Sequence, residues 1–171
     1  MPFSPVPSQQ GFSTLEIVVV VLVMVLFSAI ALPSVLSWLD ERKLNQGLAE
    51  LEGAIVTAQQ QAIRQSQTCQ VNLPTGSNPT LSSTPAECLP TGDRTLTDLS
   101  LNHSLATPAV NFDFNGWLSP SITTEQTMVL SLQGSTTGLK CLVMAPGIGL
   151  IRVGNYTGAA STTVAANCET S

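Results

Sequence analysis

The sequence predicts an α+β fold, a long N-terminal helix packed on an antiparallel β-sheet, and three observations carry that reading. An almost unbroken apolar run fills residues 17–32. A stretch with helical spacing of apolar residues follows it without a stop signal. From about residue 94 onward, short β-type runs alternate with turn signals to the end of the chain.

Residues 1–11 contain Pro2, Pro5 and Pro7 and no charged side chain. Such a segment neither forms a helix nor buries anything, so it reads as a disposable leader. A helix is expected to begin at Phe12, and 12–39 is long enough to span a bilayer. Glu16 stands at its N-terminal edge. A carboxylate there costs roughly 2.5–3.5 kcal/mol on insertion scales, which marks it as a functional candidate. Pro33 removes a helical hydrogen bond and is expected to kink or loosen the helix. Trp38 reads as an interfacial anchor.

Over residues 40–67 the pattern turns amphipathic. Leu44, Leu48, Leu51, Ile55, Ala58 and Ala62 make one apolar stripe, while Glu41, Lys43, Glu50, Glu52, Gln59 and Gln60 face elsewhere. This is a helix lying against its own domain. Residues 69–88 read as a loop, because Leu73-Pro74-Thr75-Gly76-Ser77-Asn78-Pro79 is dense in turn formers. The sheet is placed in 94–171, with strands expected at 95–101, 110–114, 127–132, 139–144 and 150–153. Asn115-Gly116 is a turn signal closing the second of these.

Composition narrows the function. Charged residues are 10% of the 171, against about 25% in an average globular protein. The net charge of −5 offers no basic field to a nucleic acid. Cys69, Cys88, Cys141 and Cys168 all follow the apolar segment, and none shows C-x-x-C spacing. An even count behind an export-type segment reads as two disulfides, for which three connectivities exist. Cys69–Cys88 and Cys141–Cys168 are the expected pairs. The first brackets the Pro/Gly loop, the second ties a core strand to the C-terminal tail, and neither threads the chain.

Catalysis finds no constellation. His103 has no nucleophile or base partner in its surroundings, and Asp93, Asp98 and Asp113 lack calcium-loop spacing. Turn and capping roles suit these aspartates, and a core or sheet-edge role suits Trp117. No enzyme activity, cofactor or metal is expected.

Gly11-Phe12-Ser13-Thr14-Leu15-Glu16, set directly before the apolar helix, resembles the leader junction of type IV pilins and pseudopilins. The resemblance implies that a prepilin peptidase cuts after Gly11 and that Phe12 becomes the N-methylated terminus. It makes Glu16 and Pro33 assembly residues. Phe112-Asp113-Phe114-Asn115-Gly116, then 128–132, 140–144 and Gly149-Leu150-Ile151-Arg152, is similar to the GspH/FimT group of minor pseudopilins. The implied partners are other pilin or pseudopilin subunits, prepilin peptidase and inner-membrane lipids. The implied location is the inner membrane with a periplasmic C-terminal domain, then a pilus or pseudopilus. In DNA-binding relatives of FimT type two arginines occupy a G-R-x-R hairpin. Here Leu150 stands at the first position, so Arg152 is left as the one candidate ligand contact, a structural or salt-bridging role is expected of it, and nucleic acid is not expected as a partner. Two alternatives stand beside the tip-subunit reading: a DNA-receptor pilin, and a secreted protein cut after Ala29-Ile30-Ala31.

Overall fold

The computed structural model describes residues 11–170, apart from the side chains of 29–34. The leader expected over 1–11 therefore lies outside the described residues except for Gly11. The chain divides between Leu39 and Asp40 into two units. One helix, α1 (Thr14–Gln65), supplies part of each.

In the first unit, the Ser13 carbonyl accepts the N–H groups of Glu16 and Ile17 at 3.0 and 3.2 Å and starts the helix. The apolar side chains from Leu15 to Phe27 are all exposed. Among the described residues, no helix is long and apolar enough to cross a membrane. The membrane-spanning segment expected over 12–39 lies in part outside the described residues, at 29–34. The helix assignment is continuous through position 33, and the Pro33 side chain lies outside the described residues.

The second unit holds the core. Leu44, Leu48, Leu51, Ile55, Ala58 and Ala62, the stripe expected from spacing, are all buried, and Ala54 joins them. Gly47 completes this face because Leu99 packs against it: a Cβ there would lie 2.1 Å from Leu99 Cδ1. Among the described residues, ten strands follow in two antiparallel sheets. The smaller has the order β4 (Arg94–Thr95), β3 (Thr80–Thr84), β1 (Cys69–Asn72), β6 (Ala109–Phe112). The larger has the order β10 (Cys168–Thr170), β9 (Ile151–Tyr156), β8 (Lys140–Met144), β7 (Gln126–Leu132), β5 (Leu99–His103), β2 (Gly76–Ser77).

The helix stripe shares one apolar core with both sheets, including Val71, Leu81, Val110 and Phe112 of the smaller and Leu101, Met128, Leu130, Leu142 and Met144 of the larger. Strand alternation sends Val129, Cys141, Val143 and Tyr156 to the opposite face of the larger sheet, where they form a second cluster with Cys168. Packed against that cluster are Ala160 and Ala165 of the C-terminal segment. Every residue of both clusters belongs to 40–171, so this unit contains all that it needs to fold by itself.

Three expectations are corrected here. The segment 69–88 is not a loop, because it contributes β1, β2 and β3 and crosses between the sheets at its Pro74–Pro79 turn. The strand expected over 95–101 is two strands in different sheets, parted at Asp98, whose φ of 62° lies in the left-handed region. The last expected strand, 150–153, runs on to Tyr156 and pairs with β10. Disulfides join Cys69 to Cys88 and Cys141 to Cys168. The first ties β1 to the single helical turn at Ala86–Cys88, and the second ties β8 to β10.

Candidate functional site

Gly11 and Phe12 precede the helix, are not part of it, and are exposed. A Cβ at Gly11 would meet no atom within 4 Å. Nothing among the described residues therefore requires glycine at this position. Phe12 is 78% exposed, and together with Glu16, Ile17, Val20 and Val21 it lines a shallow hollow on the helix surface. Glu16 sits in the first helical turn, where the partial positive charge of the free N–H groups favours a carboxylate. No ion pair within the described residues engages it.

The C-terminal strand pair has the opposite character, with its cation consumed. Arg152, on β9, donates from Nη1 to the Cys168 carbonyl at 3.1 Å. From Nη2 it donates to the Ala165 carbonyl and to Glu125 Oε2, both at 3.2 Å. The guanidinium thus clips the C-terminal segment onto the sheet. Lys140 donates to Asn155 Oδ1 at 2.7 Å and lies 3.9 Å from Glu41 Oε1. Leu150 is exposed. Burial pushes the Tyr156 hydroxyl up, but hydrogen bonds with Thr162, the Val164 N–H and Asn167 outweigh it and hold the group below its ordinary range. The same contacts fasten the segment that covers the outer apolar face.

The remaining candidates fall into structural places. His103 makes a 2.9 Å hydrogen bond with the Leu73 carbonyl through Nε2, and a carbonyl can only accept, so Nε2 carries the proton. Its Nδ1 is buried without a partner among the described residues. Asp113 Oδ1 accepts the N–H groups of Asn115 and Trp117, both at 2.9 Å, and shapes the turn at Gly116. Asp98 accepts from Lys43 at 3.2 Å. Among the described residues, no three His, Cys, Asp or Glu side chains come together as a metal site would require. Trp117 is 56% exposed and belongs to no core, which leaves the sheet-edge role: its carbonyl accepts the Asp113 N–H at 2.8 Å, beside the bridge from Leu118 to Phe112.

Sequence reasoning missed Gln59. Placed on the polar side of the helix by its spacing, it donates from Nε2 to the Gly116 and Ile148 carbonyls, both at 2.8 Å. It thereby ties two loops to α1. Nothing local marks a glutamine for that duty, since both acceptors lie more than fifty residues away.

No protein-family model and no curated protein matches the chain. Two crystal structures of the type IV minor pilin FimU from Pseudomonas aeruginosa strain PAO1 are similar to it. One shares 18% identity over 72% of this chain and 98% of FimU, with a TM-score of 0.56. The other shares 20% identity over 68% of this chain and 99% of FimU, with a TM-score of 0.55. Likeness at these identities is a likeness of fold: a long N-terminal helix on an antiparallel sheet, the type IV pilin-like fold.

Proposed function

We propose that this chain is a minor pilin or pseudopilin, cleaved by prepilin peptidase after Gly11, N-methylated on Phe12, and built near the tip of a type IV pilus or type II secretion pseudopilus. The observation that carries this reading is the register Gly11-Phe12-x-x-x-Glu16, set at the start of a helix whose apolar side chains are bare. That no described residue crowds a Cβ at Gly11 supports it, because a demand for glycine then comes from a partner such as a peptidase. Exposed apolar flanks from Leu15 to Phe27 need cover, which the helices of neighbouring subunits would supply. Association of the precursor with inner-membrane lipids belongs to the same reading, as does a periplasmic or cell-surface home for a disulfide-bonded domain. The expected result is a mature chain that begins with N-methyl-Phe12, read by intact mass and N-terminal peptide mapping. A mature chain starting after Ala31 would overturn the proposal and favour a secreted protein.

DNA reception is disfavoured by a specific observation: the Arg152 donors are already committed to Cys168, Ala165 and Glu125. Duplex affinity rises with each phosphate neutralised and falls steeply with salt. With Lys140 also engaged and a net charge of −5, the domain is expected to show no shift of a duplex probe at physiological salt. An anisotropy titration of residues 40–171 reads this. Micromolar, salt-sensitive binding that is lost in Arg152→Ala would reverse the ranking.

A further inference from the structure

We infer that Lys140, Asn155 and Glu41 form an internal modification site, at which the Lys140 amine condenses with the Asn155 side-chain amide into an isopeptide bond between β8 and β9. The reaction needs no oxidant and no second protein, and assembly into filaments has no bearing on it. Lys140 and Asn155 stand directly opposite each other in the antiparallel register. Lys140 Nζ donates to Asn155 Oδ1 at 2.7 Å. The Asn155 Cγ carbon is one bond beyond that oxygen, and the terminal torsion of an asparagine is soft. A turn about it presents Cγ to the amine at the ~3–3.5 Å of a near-attack pair.

The fold confines the amine. Cys141 and Val143 join the outer cluster, so alternation puts Lys140 on the same face as Leu142 and Met144, towards α1. Buried Leu130 is its partner on the other side, in β7. Only 14% of the Lys140 side chain is exposed. Well-oriented neighbours held in this way react as if at about 10⁵–10⁸ M. Asn155 is exposed, which gives the departing nitrogen a way out to solvent.

Glu41 is the proton carrier. Its Oε1 lies 3.9 Å from Lys140 Nζ. It takes one proton from the ammonium, which leaves two neutral groups, the arrangement that a poorly hydrated site favours. The free amine adds to Cγ, the tetrahedral centre collapses with its carbonyl re-formed, and the bond from Cγ to Nδ2 breaks. Nδ2 leaves as ammonium with the two protons that Nζ gives up. Glu41 passes them across and ends ionised as it began, so charge balances and nothing is oxidised. Lys43 supplies the contrast: it lies 3.2 Å from Asp98, but both side chains are more than half exposed, and a hydrated ion pair is where that contact ends. Next to Lys140, Cys141 is already bonded to Cys168 on β10. With the isopeptide in place, β8, β9 and β10 become one covalent unit.

The test is the mass of the full chain, purified and reduced, followed by tryptic mapping. The expected mass, in most of the molecules, is one ammonia below the value that the chain's own N-terminus and sequence require. Trypsin should cut after Lys43 but not after Lys140, and residues 95–152 should stay joined to 153–171 as one branched peptide. Lys140→Arg and Glu41→Gln should each restore the full mass. The Glu41 side chain is 63% exposed, so its change to glutamine leaves the fold in place. Full mass with cleavage after Lys140 in the unaltered chain would overturn the inference. So would an ammonia deficit that maps to a succinimide at Asn115-Gly116, or a branched peptide that forms undiminished in Glu41→Gln.

Discussion

Glu16→Ala is expected to leave cleavage after Gly11 intact and to cut the chain's share of sheared filaments at least tenfold. Glu16 has no ion pair among the described residues, and it lies at the mouth of a helix whose neighbouring side chains are bare. On the proposed reading, other helices cover those flanks and the α-amino group that cleavage would free on Phe12 shares a dry environment with the Glu16 carboxylate. Removing one partner from a buried pair strands the other, at about 3–5 kcal/mol. That exceeds the ~1.4 kcal/mol that corresponds to tenfold in an equilibrium. Glu16→Gln, which keeps the shape and removes the charge, should behave as Glu16→Ala does. Immunoblots of sheared filaments against total protein, with the mature mass measured in parallel, read both outcomes. Normal incorporation of Glu16→Gln would show that the charge has no part in assembly.

Loss of the Cys141–Cys168 disulfide should lower the stability of residues 40–171 by about 3.5 kcal/mol, the chain-entropy value for a loop of this size. The midpoint of thermal unfolding should fall by about 10 °C at the ~3–4 °C per kcal/mol expected of such a domain. This bond closes 27 residues and holds down the segment that covers Val129, Val143 and Tyr156. Without it the segment keeps the Arg152 clip, the β9–β10 pairing and the bond from the Val164 N–H to the Tyr156 hydroxyl. Gly154 shows how close that pairing is: a Cβ there would sit 1.9 Å from the Glu169 carbonyl oxygen. The Cys69–Cys88 bond closes a shorter span of 19 residues, from β1 to the helical turn at Ala86–Cys88, and its removal should cost less. Circular dichroism melts of Cys141→Ser/Cys168→Ser beside Cys69→Ser/Cys88→Ser test the order. A fall under 3 °C for the first pair would mean that the covering segment is held by its hydrogen bonds alone.

What the sequence determined by itself is what repeats locally. The stripe from Leu44 to Ala62 recurs at the helical period, and each of its members is buried. The strands near 110, 127 and 140 announce themselves through β-branched and large apolar residues between turn formers, and they differ from β6, β7 and β8 only at their ends. Tertiary structure decided the rest. Residues 69–95 are rich in turn formers, yet they split among two sheets because β1 finds β3 and β6 while β2 finds β5. Alternation in β7 shows two apolar faces but not what covers the outer one, which is a segment from the far end of the chain. Gln59 on a polar helix face looked free, and Arg152 was expected in a structural or salt-bridging role without its partners being named; both are spent on carbonyls brought near only by folding. Periodicity is written between residues three or four apart, whereas pairing, cover and hydrogen-bond satisfaction depend on which distant segments fit, and that is settled only when the chain closes on itself.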